Sequence, residues 1–394
     1  MSAPLPPPPD GPILVYVQHV LGVGHLNRAA ALARGLAESG RPVVLVTGGR
    51  PAPHLLAPDP ERPVRVAQLP PLAAADLAFS GLVDETGAPV TDALWRARRD
   101  RLRALVEDLR PAVLVVEMYP FGRRPFGPEI DALIGQVRAR RPEARVACSV
   151  RDILVRKRDP SKARRMLEAA NRLFDLILVH GDPRVLPFSA TFPLADALRP
   201  PVVHTGFVVE DRTGTAPPPD DAGLDEVLVS AGGGAMGRAL MDAAAQARPL
   251  CRIGAAPPWR VLVGRNLGAG AVDAVRAVAA PGVTVDWVRP DFRALLARAR
   301  LSVSQAGYNT VVETLAARCP AVLVPWGDGD ESEQRDRAAV LDRLGLARAL
   351  DPADLSPARL AGAVDDALAT LPRRTDVTGI ALDGIARTRE ALLG

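Results

Sequence analysis

The 394-residue chain has only three cysteines, Cys148, Cys251 and Cys319, far apart in sequence. With no CxxC pair, neither a disulfide framework nor a cysteine-based zinc site is expected, and the usage fits a reducing cytoplasm. Lysine is almost missing: Lys157 and Lys162 are the only two among 49 basic residues, so arginine carries the positive charge. Aromatic residues make up 4%, too few to build the stacking platform of a single-strand nucleic-acid binder. No apolar run reaches the roughly 18–20 residues of a membrane span. The first ten residues, with prolines at 6–9, lack the basic start and apolar core of a signal peptide. Residues 1–11 read as a flexible, polyproline-like tail.

What is present is globular. Apolar residues are 48% and charged residues 24%, and the length suggests about two domains. Ile13–Val17 is an apolar run of strand length, followed by a glycine-bearing turn, a helical pattern over Leu26–Glu38, and a second strand at Val43–Val46. Further strands are expected at Ala112–Val116, Arg145–Val150, Leu176–Val179 and Pro201–His204. After a Pro-, Asp- and Gly-rich stretch the alternation restarts: Val227–Ser230, a helix over Ala235–Ala247, then strands at Arg260–Val263, Val283–Trp287, Leu301–Val303 and Ala321–Val324. Runs that are apolar on both faces imply parallel sheets covered on both sides. The expected fold is α/β, two doubly wound Rossmann-like domains facing a cleft. Its parts would be a first domain over 12–209, a linker over 210–224, a second domain over 225–372, and a C-terminal helix over 373–394, helical from Ile380, that can pack back on the first domain.

In such folds ligands bind beyond the carboxyl ends of strands, so the loops after strands carry the chemistry. In the first loop, His19, Gly22, Gly24 and His25 precede or open a helix. A neutral His25 at the positive helix end would accept a proton near pH 7, while a capping histidine with turn glycines is the structural alternative. Glu117 and Asp152 end later strands of the same domain and would orient His25 or an acceptor, act as the base instead, or pair with neighbouring arginines. In the second domain, Gly232, Gly233 and Gly234 lie between strand and helix, where backbone N–H groups hold phosphate or simply make a tight turn. They match neither the P-loop nor GxGxxG. Thr310 and Glu313, three apart at a helix start, suit a diphosphate and a ribose diol, or equally a capping box. The loop from Asp328 and Asp330 to Glu333 and Gln334 would read sugar hydroxyls or remain a solvated turn. No metal is inferred from its Asp-x-Asp pair.

These segments together resemble the GT-B glycosyltransferases, and among them the family of the peptidoglycan N-acetylglucosaminyltransferase with related predicted bacterial glycosyltransferases. The resemblance rests on Gly24-His25-Leu-Asn-Arg28, on Gln305 to Glu313, on Pro320 to Pro325 and on Glu333-Gln334, and is strongest in the second domain. It implies His25 as the base and Glu313 on the ribose. Gly307, Tyr308, Asn309 and Thr310 would hold the diphosphate, Arg265 a phosphate or base, and the backbone near Val288 the nucleobase, with Asp330, Glu333 and Gln334 toward the donor sugar. The family has a Gln-Gln pair where this chain has Glu333-Gln334, which leaves the sugar open. The implied reaction is metal-independent inverting transfer from a nucleoside diphosphate sugar, UDP first, to an unidentified acceptor, with no cofactor. A hydrolase or epimerase of the same fold, or a non-catalytic nucleotide-sugar-binding partner, are the alternatives.

Charge is uneven. Residues 95–165 hold 19 Lys/Arg against 9 Asp/Glu, a net of +10 in a chain of +4. A cytoplasmic protein with this belt would be drawn to an anionic membrane surface or an acidic acceptor, and nucleic acid is not expected. Solvated helix faces are the simpler reading.

Overall fold

The computed structural model describes residues 6–76, 80–155, 159–210, 218, 220–231, 237–264, 267–326 and 332–394, and of His54 the backbone only. The chain divides into two compact units, Met1–Glu210 with Ala381–Gly394, and Asp211–Ile380. The first unit opens with β1 (Ile13–Val17), α1 (Gly24–Ala37), β2 (Val43–Thr47) and β3 (Val64–Gln68). A small hairpin, β4 (Ala73–Ala74) and β5 (Leu82–Val83), precedes α2 (Asp92–Leu109), β6 (Val113–Glu117), α3 (Gly127–Arg140), β7 (Arg145–Arg151), α4 (Pro160–Leu173), β8 (Leu176–His180) and β9 (Val202–His204). Among the described residues its main sheet runs β3-β2-β1-β6-β7-β8-β9, every neighbour parallel.

The period-2 pattern explains the layering. Ile13, Val15 and Val17 of β1, with Val113 and Val115 of β6, pack on Leu26, Ala29, Ala33 and Leu36 of α1. Leu14 and Tyr16 face the other way, onto Leu102 and Val106 of α2 and Ile130 and Leu133 of α3. Every residue of β1, β2, β6 and β8 is buried, as a doubly covered parallel sheet requires. The sequence pattern misses β3, whose Arg65 and Val66 are exposed because it is the sheet edge.

The second unit follows the same plan: β10 (Val227–Ser230), α5 (Arg238–Ala247), β11 (Trp259–Val263), α6 (Ala271–Arg276), β12 (Val283–Trp287), α7 (Phe292–Arg298), β13 (Leu301–Ser304), α8 (Tyr308–Ala316), β14 (Ala321–Leu323), α9 (Glu333–Arg343), β15 (Arg348–Ala349) and α10 (Pro357–Thr370). Its sheet order is β12-β11-β10-β13-β14-β15. Val227, Val229, Leu301 and Val303 pack on α5 and α10, while Leu228 and Leu262 pack on Leu295 and Leu296 of α7. The helix expected from Ala235 is described from Arg238, with Gly237 as its N-cap.

The chain then returns to the first unit as α11 (Gly384–Leu393). Helix does not begin at Ile380 as the pattern suggests. Ala381 instead pairs its backbone with Phe207 and Asp182, which holds this stretch extended. α11 lies on α1, with Leu392 fully buried, and Gly35 of α1 makes room for it: a Cβ there would lie 2.0 Å from Ile385 Cγ2. In both sheets the strand order reverses beside the first strand, between β1 and β6 and between β10 and β13. Those two points are where ligands bind in open α/β sheets.

Candidate functional site

In the first unit the chemistry gathers at the reversal point. His25 is the second residue of α1, and Glu117 is the last residue of β6. His25 Nδ1 lies 3.0 Å from Glu117 Oε1, and Arg28, one helical turn on, donates to the same oxygen from a buried position. A carboxylate only accepts, so the bond to Glu117 assigns the proton to Nδ1 and leaves Nε2 with its lone pair. The His25 side chain is 16% exposed, while Glu117 is sealed at 1%. Burial first, and then the guanidinium charges of Arg123, Arg28 and Arg151, hold the imidazole well below its usual pKa. His25 is therefore neutral at pH 7, which the helix position alone would have suggested more weakly.

The surrounding scaffold is built by arginines. Arg98 of α2 is fully buried and bonds Glu129 of α3, the carbonyls of Gly48 and Pro70, and the Gln18 side chain. Tyr16 donates to Glu129 at 2.6 Å. Gln18 in turn donates to the carbonyls of His19 and Leu72, which pins the loop after β1. Arg123, in the loop after β6, donates Nε–H to the Gln18 carbonyl at 2.6 Å from a left-handed backbone (φ +60°). That conformation is uncommon for a non-glycine residue and concentrates at functional loops. Burial, with Arg151 and Arg28 nearby, draws its pKa down to about 10, so it stays cationic and adds positive potential beside His25.

The other first-unit expectations divide. His19 does not present its ring to an acceptor: it is 4% exposed, its Nε2 bonds the Arg50 carbonyl at 2.9 Å, and Gly49 presses on it. Gly22 is exposed, with open space where a Cβ would stand, and Gly24 forms the first residue of α1. Asp152 is buried and accepts from the Ile153 amide at 2.9 Å. Between the two carboxylates, Glu117 is the one bonded to His25. The basic belt is no uniform solvent face: Arg98 and Arg145 are buried, the latter bonding the Leu392 carbonyl at 2.6 Å, whereas Arg96, Arg101, Lys162, Arg164 and Arg165 are exposed.

In the second unit, β13 leads through Gly307 into α8. Gly307 is the N-cap with extended backbone and no side-chain cap, so Thr310 and Glu313 do not form a capping box. The first-turn amides of an α-helix have no acceptor within it and suit an anion. The Tyr308 ring is buried, with the Arg337 guanidinium 5.8 Å from its centre. Asn309 and Thr310 are partly exposed. Glu313, partly exposed one turn on, accepts from Arg293 at 3.1 Å. The Val288 amide donates to the Val263 carbonyl at 2.9 Å, continuing the pairing of β11 and β12.

Glu333 and Gln334 have different surroundings. Glu333 is 7% exposed and pairs with Arg337 one turn along α9 at 3.0 Å; Arg337 also donates to the Ala306 carbonyl at 2.6 Å. Arg337 thus ties the loop before α8 to α9, and Glu333 holds that guanidinium in place. Gln334 accepts the Trp326 amide at 2.9 Å through Oε1, leaving its amide group for other bonds. Arg337 escaped sequence reading, although its i,i+4 spacing from Glu333 is the signal that marks it. Gly232, Gly233, Gly234, Arg265, Asp328 and Asp330 lie outside the described residues.

Residues 275–377 match the Glycosyltransferase family 28 C-terminal domain. The UDP-N-acetylglucosamine--N-acetylmuramyl-(pentapeptide) pyrophosphoryl-undecaprenol N-acetylglucosamine transferase of Syntrophotalea carbinolica is 30% identical over 170 residues, 42% of this chain and 46% of that protein. The same enzyme of Methylobacterium radiotolerans is 38% identical over 85 residues, 22% and 23% of the two chains. The chain thus aligns with less than half the length of these curated relatives. Among solved structures, the calicheamicin glycosyltransferase CalG4 aligns over 97% of this chain and 94% of its own at 19% identity, TM-score 0.55. MurG of Acinetobacter baumannii aligns over 97% and 95% at 16%, TM-score 0.54. Phytolacca americana UGT2, solved with UDP-2fluoro-glucose and pterostilbene, aligns over 98% and 94% at 15%, TM-score 0.60. The chain therefore has the two-domain GT-B glycosyltransferase fold, matches the family 28 C-terminal domain over part of its second unit, and resembles the family of the peptidoglycan N-acetylglucosaminyltransferase.

Proposed function

We propose that the chain is an inverting glycosyltransferase that moves a sugar from a nucleoside diphosphate sugar, UDP first, to an acceptor hydroxyl. The observation that carries this is the His25–Glu117 pair at the reversal point of the first sheet, with a neutral imidazole whose Nε2 is left to accept a proton. In the proposed step the acceptor O–H proton passes to His25 Nε2 as the oxygen attacks C1 of the sugar. The bond from C1 to the phosphate oxygen breaks, and the nucleoside diphosphate leaves with the electron pair. Glu117 then faces an imidazolium, which a buried carboxylate 3.0 Å away stabilises.

Negative charge grows on the leaving diphosphate, and we assign its stabilisation to the amide end of α8, with Gly232–Gly234 and Arg265 as further candidates. Glu313 would take the ribose diol and Gln334 the sugar. The scheme calls for no metal, so turnover is expected to survive chelation by EDTA. The relatives named for UDP-N-acetylglucosamine, and the plant enzyme solved with a UDP-sugar analogue, support UDP as the first donor to try. The exposed basic residues of the belt support peripheral contact with an anionic membrane or an acidic acceptor in the cytoplasm.

The test is release of UDP from UDP-N-acetylglucosamine and UDP-glucose, with and without candidate acceptors. His25→Ala should lower it by about 10²–10⁴-fold while UDP still binds. Near-normal rates in that variant would sink the base assignment. Release that no acceptor accelerates would favour a hydrolase.

A further inference from the structure

On the α1 side of the first sheet the apolar rows end in a polar one. Val113 and Val115 lead to Glu117, Ala147 leads to Ser149, and Leu176 and Leu178 lead to His180, each two residues on and on the same face. Thr205 follows directly on β9, beside His180. All four are buried, at 0–1% exposure. They touch in strand order. Glu117 Oε2 lies 2.6 Å from Ser149 Oγ, Ser149 Oγ 2.9 Å from His180 Nε2, and His180 Nδ1 2.8 Å from Thr205 Oγ1.

The donor inventory fixes the direction of this chain. The Glu117 carboxylate only accepts, so Ser149 must give it the single hydroxyl proton. Ser149 then has lone pairs alone for His180, so His180 carries its proton on Nε2. Its Nδ1 is left as an acceptor for the Thr205 hydroxyl. Burial holds His180 far below its usual pKa, near about 3, so it stays neutral and keeps this one-proton pattern. With His25 donating from the other side, every proton of the chain points toward Glu117.

We propose that Ser149, His180 and Thr205 form a positioning chain that holds the second oxygen of Glu117 and thereby sets the orientation and basicity of His25. This rests on the His25–Glu117 reading of the site. None of the three would touch substrate. The chain fixes the Glu117 rotamer from behind and spreads its charge, which limits how strongly Glu117 stabilises the protonated form of His25. The charged and titratable groups facing His25 are Glu117 from β6, Arg28 from its own helix, Arg123 from the loop after β6, Arg151 from the end of β7 and His19 from the loop after β1. Those facing His180 are Glu117 and Arg28.

The experiment is nitrogen NMR of the histidine rings in the full chain across pH, with UDP-sugar turnover read in parallel. In the wild type, His25 should be protonated on Nδ1 and His180 on Nε2. Ser149→Ala removes one donor from Glu117, so the charge there concentrates. The His25 titration should then move to higher pH, the acid limb of turnover should follow it, and turnover should fall about tenfold, the size of one hydrogen bond to a charged group. Ser149→Thr keeps the hydroxyl and should restore the His25 titration. His180→Leu should shift it in the same direction by less. His180→Gln, which keeps a donor toward Ser149 and guards against a folding failure of the leucine variant, should return it. A His25 titration unchanged in Ser149→Ala and in His180→Leu overturns the proposal. Wild-type His25 protonated on Nε2 would instead overturn the dyad itself, a separate outcome.

Discussion

At the scale of single residues, the buried histidines tie this protein to pH. His180 has a folded pKa near about 3 because burial penalises its charged form, against 6.5 when exposed. Below pH 6.5 the unfolded chain binds a proton that the native His180 does not. Stability therefore falls as pH drops from 6.5 toward 3, by up to about 1.4 kcal/mol for each pH unit from this residue. Thermal unfolding at pH 7 and pH 5 should show the loss, and His180→Gln, which has nothing to titrate there, should lose less between the two. An equal loss in both proteins would place the acid sensitivity elsewhere.

At the scale of elements, two contacts decide how each unit holds its loops. Arg337 joins α9, through Glu333, to the carbonyl of Ala306 before α8. Arg337→Met removes the buried charge-assisted bonds to Glu333 and to the Ala306 carbonyl and should cost about 1.5–3 kcal/mol, read as a lower denaturant midpoint. It should also weaken UDP binding, because the loop before α8 loses its anchor. The seat of α11 on α1 depends on Gly35, where an added Cβ would meet Ile385 at 2.0 Å. Gly35→Ala should cost about 1–3 kcal/mol by overpacking, seen as a lower Tm, with proteolysis near residue 380 following if α11 detaches.

Element by element, the interior strands were legible because a doubly covered parallel sheet demands unbroken apolar runs, as in Ile13–Val17 and Leu176–Val179. The edge strands β3 and β15 were not, since half-exposed Val64–Gln68 and the two-residue Arg348–Ala349 carry no such run. His25 and Glu117 were legible as loop and strand-end residues, but their pairing joins a helix start and a strand end ninety-two positions apart. Arg98, Arg337 and His180 went unread because each is buried by partners distant in sequence or one helical turn away, and composition counts such arginines as surface.

At the scale of the whole molecule, the charge that looked like a single belt is divided. Arg98 and Arg145 build the interior, Arg123 and Arg151 add positive charge beside His25, and the exposed remainder is what an anionic partner would meet. In the proposed reaction the two units have separate tasks, a base in the first and a nucleotide in the second. Calorimetric titration of UDP into the wild type, His25→Ala and Glu313→Ala tests that division most directly. The expected result is equal affinity for the wild type and His25→Ala, and about tenfold or more weaker binding for Glu313→Ala, which loses the carboxylate proposed to hold the ribose diol. No UDP binding by the wild type, or undiminished binding by Glu313→Ala, would contradict it.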